Sequence, residues 1–309
     1  MTGKKISIIG AGNVGATIAH ICLLKKLGHI VLVDVAKELA EGKALDMMEG
    51  QPVNQSDLKV LGTNNYELTK DSDIVVITAG FARKPGMSRE DLLQKNYNVV
   101  KEVTLNAIKY SPNAVLIVVT NPLDVMTYAA YKISGFSKEK VIGQAGALDS
   151  ARLKYFISEE LNVSVNDINA MVLGSHGDTM VPIIGQILVK GKPITDFLSS
   201  EKINQLIEKT RKAGEEIVKL YKTGSAYYST AAATVEMIEA IIKDEKKLIP
   251  SSIYLEGEYG ISNVFLGVPV TLGKNGVEKI IEIDISNEEK EALKKSAEVV
   301  KENIKLLNI

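Results

Sequence analysis

Five short apolar runs set the frame for this chain. Ile6–Ile9, Ile30–Asp34, Ile74–Thr78, Val115–Val119 and Val141–Gly143 are rich in Val and Ile, without strict polar alternation. A strand with one wet face alternates; a strand covered on both faces does not. The intervals between the runs are long enough for crossover helices. This βαβ rhythm predicts an open, doubly wound parallel sheet in the first half of the chain.

The second half reads differently. Ser150 to Leu161 has a helical pattern, Ala170–Gly174 and Ile183–Val189 read as strands, and Glu201–Tyr221 and Ala231–Asp244 read as long helices. Three further strands are expected at Ile253–Glu258, Val264–Leu272 and Val277–Ile283, the last two joined by a hairpin at Gly273-Lys274-Asn275-Gly276. Ser286 and Glu289 have capping-box spacing, and Leu293, Ala297, Val300, Ile304 and Leu307 then recur every three or four residues, which predicts a closing amphipathic helix. The expected division is therefore a doubly wound domain over residues 1–143 and an α+β domain with antiparallel strands over 144–309. The chain shows no internal repeat or low-complexity tract.

Composition excludes several classes. A net charge of −1 argues against a protein that holds nucleic acid or an anionic membrane through bulk charge. One cysteine, Cys22, rules out an internal disulfide and a Cys-rich zinc site, and fits a reducing compartment. No run of about 18 apolar residues is present, so no membrane span is expected. The apolar stretch after Lys4 and Lys5 is broken by Gly10, Gly12, Asn13, Gly15 and His20, which reads as strand, turn and helix rather than as a signal peptide.

Gly10-Ala11-Gly12-Asn13-Val14-Gly15 forms a G-x-G-x-x-G run between the first strand and the first helix. In that setting the first glycine permits the tight turn, the second lets the backbone approach a pyrophosphate, and the third allows close helix–strand packing. The helix N-terminus then offers N–H groups to the phosphates. Asp34, nineteen residues after Gly15, ends the second strand. A carboxylate there accepts hydrogen bonds from the ribose hydroxyls and repels a 2′-phosphate, so the reading is a Rossmann-type site for NAD rather than NADP.

The arginines are few. Among 37 basic residues only Arg83, Arg89, Arg152 and Arg211 are Arg, so each marks a place where a planar fork is of use. Of three histidines, His20 and His29 read as structural or solvated. His176 lies in Gly174-Ser175-His176-Gly177-Asp178 at a strand end, where flanking glycines bring backbone close to a ligand. Oxidation of a 2-hydroxy acid needs a hydride acceptor, a base for the hydroxyl proton, a carboxylate clamp and a positive group near the carbonyl oxygen. NAD fills the first role and His176 is the candidate for the second. Asp149 and Arg152, three residues apart on one predicted helix, supply a carboxylate and a fork.

At this point the chain resembles the lactate/malate dehydrogenase family over essentially its whole length. The motifs are GAGNVG at 10–15, Asp34, TAGFARKPGMSR at 78–89, VTNPLD at 119–124, LDSAR at 148–152 and GSHGD at 174–178. The resemblance implies that His176 is the proton acceptor, that Asp149 orients it, and that Arg152 grips the C1 carboxylate. It implies that Arg89, on a closing loop, polarises the substrate carbonyl, and that Asn121 bonds both substrate and the nicotinamide neighbourhood. Asn96, Val119 and Thr120 join Gly10, Ala11, Gly12, Asn13, Val14, Gly15 and Asp34 as cofactor contacts.

Arg83 stands where lactate enzymes of this family typically carry Gln, which implies a diacid: (S)-malate and oxaloacetate. Ala226, where lactate enzymes usually carry Thr, agrees. The resemblance further implies a cytoplasmic homotetramer, with a homodimer as the alternative, and no metal. Lactate dehydrogenase is the rival reading, and a non-catalytic NAD-binding sensor is the rival from another class. An NAD-dependent glycosidase would need a later Cys than Cys22, a Ser-His-Asp hydrolase a G-x-S-x-G elbow, and a P-loop a Ser or Thr after Lys274.

Overall fold

The computed structural model describes residues 3–81 and 88–307. The first half alternates as expected: β1 (Lys5–Ile9), α1 (Asn13–Leu24), β2 (His29–Val33), α2 (Lys37–Glu49), β3 (Val60–Thr63), β4 (Ile74–Ile77), α3 (Arg89–Tyr110), β5 (Val115–Val118), α4 (Leu123–Ser134) and β6 (Val141–Gly143). The six strands are parallel and ordered β3-β2-β1-β4-β5-β6. Strand order reverses between β1 and β4, which opens a crevice at their carboxyl ends. The absence of alternation is explained by burial: Ile6, Ile8, Ile74, Ile77, Leu116 and Ile117 are all fully enclosed.

The edge strand β3 is absent from the sequence reading. It is four residues long, one of them is Gly62, and Leu61 points to solvent. A Cβ on Gly62 would meet the Ala40 carbonyl oxygen at 2.1 Å, so the glycine that hides the strand is what lets α2 lie against it.

The second half opens with α5 (Gly146–Leu161), which starts four residues earlier than the periodicity indicates. Next come the short strands β7 (Ile168–Asn169), β8 (Val172–Leu173), β9 (Val181–Pro182), β10 (Leu188–Val189) and β11 (Lys192–Pro193). The run Ile183–Val189 is not one strand. Gly185 sits in a 3-10 turn over Ile184–Gln186, and the ladder pairing of this run is that of Leu188 and Val189 with β7 and β11. Helices α6 (Ser200–Tyr221) and α7 (Tyr228–Ile242) follow.

The chain then builds β12 (Lys247–Glu256), β13 (Ser262–Gly273) and β14 (Gly276–Ile280), and ends in α8 (Asn287–Lys305), whose Ser286–Glu289 capping box is present. Strand β12 is longer than expected because Pro250, which argues against a strand from sequence, sits opposite Pro269 of β13. The hairpin at Gly273–Gly276 is as expected, with Gly276 at φ +97°.

These three antiparallel strands do not form a sheet of their own. Strand β12 pairs with β6 at Ser252 and Gly143, so one nine-stranded sheet runs β14-β13-β12-β6-β5-β4-β1-β2-β3. A Cβ on Gly143 would lie 2.8 Å from the Ser252 Cβ and 2.6 Å from Thr127 Oγ1, so that junction is closely packed. A second apolar cluster, including Leu153, Ile157, Val189, Ile194 and Leu206, packs α5 and α6 over the small strands. Among the described residues no helix is long and apolar enough to cross a membrane.

Candidate active site

The glycine turn follows β1 at the crevice. Gly10 has φ +111°, and a Cβ there would meet Thr78 Oγ1 at 2.7 Å and the Ala79 nitrogen at 2.8 Å. A Cβ on Gly15 would meet the Gly10 carbonyl oxygen at 1.9 Å, so α1 approaches the turn only because Gly15 has no side chain. Around Gly12, by contrast, a Cβ would find open space. The three glycines thus differ in their demands: conformation at Gly10, room for something outside the protein at Gly12, and close packing at Gly15.

Helix α1 begins at Asn13 without a side-chain cap, which leaves first-turn N–H groups for an anion. Asp34 fixes the turn from the next strand. Its Oδ2 accepts from the Ala11 N–H at 2.6 Å and its Oδ1 from the Ala36 N–H at 2.9 Å. Each carboxylate oxygen keeps a second lone pair for a ribose hydroxyl. The Lys43 ammonium donates to the Ala11 carbonyl at 2.7 Å. The open face at Gly12, the uncapped helix and the half-buried carboxylate fit a dinucleotide.

Beyond the turn, the ends of β4 and β5 are bound together. Thr120 Oγ1 donates to the Ala79 carbonyl at 2.7 Å, and the Val119 N–H to the Ile77 carbonyl at 2.9 Å. Asn96 of α3 is buried, and its amide is occupied by backbone: Oδ1 accepts from the Phe81 N–H at 2.7 Å, and Nδ2 donates to the Phe81 and Asn121 carbonyls at 3.1 and 2.7 Å. Asn96 therefore braces the crevice wall, a role the sequence does not disclose. Asn121 itself is exposed at the mouth. Arg83 lies outside the described residues. Arg89 is the first residue of α3, fixed in the chain by the Ser88–Asp91 capping box, and its side chain is not described.

The catalytic candidates converge from α5 and from the loop after β8. His176 Nδ1 lies 2.9 Å from Asp149 Oδ2. With Asp149 ionised, Nδ1–H donates, so Nε2 is left as the basic atom. Burial pushes the imidazole's pKa down, but the charge and hydrogen bond of Asp149 outweigh it and hold the ring above its ordinary 6.5. Asp149 is 1% exposed, and its Oδ1 faces Arg152 Nη1 at 3.6 Å, an ion pair longer than a hydrogen bond. Arg152 is largely buried, and its Nε has no acceptor. Burial shifts its pKa downward, against the pull of Asp149. A buried guanidinium nitrogen without a partner is costly unless an anion completes it.

Two residues that the sequence reading did not single out complete this cluster. Asp124, in the first turn of α4, is 4% exposed. Its Oδ2 accepts the His176 backbone N–H at 3.0 Å, and its Oδ1 accepts the Ser252 hydroxyl at 2.6 Å. Burial pushes its carboxyl up to about 6 despite those two donors. An acidic residue in a helix's first turn reads as a dipole partner from sequence, so nothing but its place in the VTNPLD motif marked Asp124.

The other expectations fall away from the crevice. His20 is exposed on α1, and His29 Nδ1 accepts from the Lys59 N–H at 3.0 Å. Arg211 of α6 pairs with Glu208, and its Nη2 donates to the Met180 carbonyl at 3.3 Å. Among the described residues no cluster could hold a metal ion.

Comparison with known proteins gives this geometry a lineage. Residues 4–143 match the model for the lactate/malate dehydrogenase NAD binding domain, and residues 146–308 that for the lactate/malate dehydrogenase alpha/beta C-terminal domain. The malate dehydrogenase of Chlorobium phaeobacteroides is 58% identical over 98% of both chains, and that of Bacillus israeli 55% over 98% of both. The solved structure of the malate dehydrogenase of Picrophilus torridus superposes with a TM-score of 0.95 at 49% identity, covering 99% of this chain and 97% of that one. The lactate dehydrogenase of Cryptosporidium parvum, solved with lactic acid and NAD, gives 0.96 at 39% identity, covering 100% and 99%. The chain belongs to the lactate/malate dehydrogenase family.

Proposed function

We propose that this chain is an NAD-dependent malate dehydrogenase that interconverts (S)-malate and oxaloacetate. The observation that carries the reading is the His176–Asp149–Arg152 cluster at the crevice of a sheet whose glycine turn and Asp34 fit NAD. NAD, when bound, accepts the hydride from C2 of malate or returns one to oxaloacetate.

The chain's own residues do the rest. Arg152 binds the C1 carboxylate through its fork, which fixes C2 against the nicotinamide face. Nε2 of His176 takes the C2 hydroxyl proton as the C–H bond breaks. Asp149 holds the ring in the required tautomer and stabilises the imidazolium. In reduction the same imidazolium returns the proton to the carbonyl oxygen, which Arg89 polarises. Asn121 bonds the substrate at the mouth, and Gly10 to Gly15 with Asp34, Asn96, Val119 and Thr120 form the cofactor wall.

Arg83 selects the diacid. Oxaloacetate has a carboxylate where pyruvate has a methyl group, and enclosing Arg83 beside a methyl would strand a cation. We divide the chain into a cofactor part, 1–143, and a substrate part, 144–309. The family resemblance also supports a cytoplasmic homotetramer acting in the tricarboxylic acid cycle. Steady-state NADH oxidation with oxaloacetate and with pyruvate tests the substrate. A higher kcat/KM on oxaloacetate is expected, and Arg83→Gln should narrow the ratio by at least about tenfold, since it removes one charge-assisted pair. Faster turnover of pyruvate by the unaltered enzyme overturns the reading.

A further inference from the structure

We infer that Asp124 is a positioning residue for proton transfer: it aims His176 through the backbone and supplies a second negative charge beside the imidazole. The inference rests on the reading of His176 as the proton acceptor.

The geometry gives Asp124 a place that ordinary helix stabilisation does not require. It lies in the first turn of α4, three residues after Asn121 at the crevice mouth. Yet it turns away from solvent and spends its two oxygens on two other elements. Oδ2 holds the N–H of His176, and Oδ1 holds Ser252 on β12, at the junction with β6. One carboxylate therefore ties the wall of the cofactor crevice, the antiparallel half of the sheet and the catalytic loop to one another. A hydrogen bond to the backbone of the histidine itself constrains the residue's attachment to the chain, whereas Asp149 constrains the ring through Nδ1. With both ends held, the direction of Nε2 is determined.

The charges have a matching logic. Those acting on His176 are Asp149 and Arg152 of α5 and Asp124 of α4. Helix α8 contributes the hydroxyl of Ser296, which accepts the Ser175 N–H at 2.8 Å, and β12 the hydroxyl of Ser252. Asp178 lies two residues further along the same loop. With His176 neutral, two carboxylates face one guanidinium and the buried cluster carries a net negative charge. With His176 protonated, the four groups balance. Asp124 thus favours the imidazolium, the form that oxaloacetate reduction needs.

The test is a comparison of Asp124→Asn, Asp124→Ala and Ser252→Ala, with His176→Asn run in parallel, by the pH profile of kcat/KM in both directions. Asp124→Asn keeps an acceptor for the His176 N–H but removes the charge. Its controlling pKa should fall by about 1 pH unit, the lower end of the effect of a nearby opposite charge. Asp124→Ala also frees the loop, and kcat should drop roughly 10- to 100-fold while NADH affinity stays within about twofold, as expected when a reacting group is misplaced by a fraction of an ångström to an ångström. Ser252→Ala, the mildest change, should lower kcat about two- to fivefold with little change in KM.

A lower melting temperature with wild-type kcat and pH profile in all three Asp124 and Ser252 variants overturns the inference, because a merely structural brace would give that pattern. Should the Asp124 variants fail to fold, Ser252→Ala alone decides by the same criterion. An inactive His176→Asn beside unaltered Asp124 variants refutes only the positioning role. A fully active His176→Asn refutes the parent reading instead.

Discussion

Asp124 also makes a prediction about stability, opposite in sign to its expected effect on catalysis. Its carboxyl titrates at 3.8 when unperturbed and is pushed up to about 6 by burial, against the donors Ser252 and His176. One pH unit corresponds to 1.36 kcal/mol, so ionising this group costs the native state about 3 kcal/mol relative to the unfolded chain. Because the folded pKa is raised, the proton's stabilising contribution is complete below 3.8. It is lost as pH rises through about 6. His176 is held above 6.5 by the charge and hydrogen bond of Asp149 against burial, so its own titration begins on the high side of this window.

Asp124→Asn has no proton to lose. Its advantage in unfolding free energy over the unaltered protein should therefore grow by about 2 to 3 kcal/mol between pH 4 and pH 7. The size of any fixed offset between the two proteins is irrelevant; only the growth is predicted. Urea unfolding at pH 4, 5, 6 and 7, at one protein concentration because self-association adds stability, measures it. A difference that stays flat or shrinks over this range refutes the argument, since it would mean that the two donors compensate fully for burial.

Two further outcomes follow from the crevice. Gly15→Ala should destabilise the fold by at least about 2 kcal/mol, because its Cβ would fall 1.9 Å from the Gly10 carbonyl oxygen. Gly12→Ala should leave the melting temperature nearly unchanged but weaken NADH binding about tenfold or more, its methyl entering the space left for phosphate; calorimetry and fluorescence titration separate the two, and the reverse ranking would refute the division of roles. Since His176 is held above its ordinary value, kcat/KM for oxaloacetate should fall as pH rises past that raised pKa, while malate oxidation rises over the same interval. Asp149→Asn should move both limbs to lower pH and cut kcat by roughly 100-fold or more, as loss of the tautomer-fixing partner does; limbs that stay in place would show that another group titrates.

The parallel half of the sheet was legible because its residues are chosen by burial on both faces, and burial is written in composition. Strand β3 escaped because it is an edge, where one face needs no apolar cover and Gly62 serves a helix rather than the strand. The run Ile183–Val189 misled for the converse reason. Ile183 is apolar because it fills the first core and Ile187 because it fills the second, while ladder pairing is confined to Leu188 and Val189. In the site, the side chains proposed to touch a ligand occur in recognisable local motifs. Asp124, Ser252 and the backbone bonds of Asn96 are not legible in that way. Their partners are 52, 128 and at least 15 residues distant, and only the fold brings them together.

The continuous sheet explains where substrate preference has to reside. The cofactor turn hangs from β1, and Asp149 and Arg152 from α5, which follows β6 directly. The histidine loop is bound to α4 through Asp124 and to β13 through Gly174 and Gly267, whose backbones exchange hydrogen bonds at 2.9 and 3.1 Å. A Cβ on Gly267 would fall 2.5 Å from the Gly174 carbonyl oxygen, so this contact too leaves no slack. A frame so closely joined fixes the distance between nicotinamide, proton acceptor and C1 carboxylate. Those three distances are the same problem for lactate as for malate, and the frame is indeed shared with a dehydrogenase of each kind. The acids differ only beyond C2, at the end away from the C1 carboxylate that Arg152 is proposed to hold. On the proposed reading discrimination falls to Arg83, whose guanidinium would pair with the second carboxylate of the diacid. If that reading and the proposed roles of Asp149 and Asp124 hold, replacing Arg83 should change the ratio of substrates while leaving the pH dependence of proton transfer unaltered.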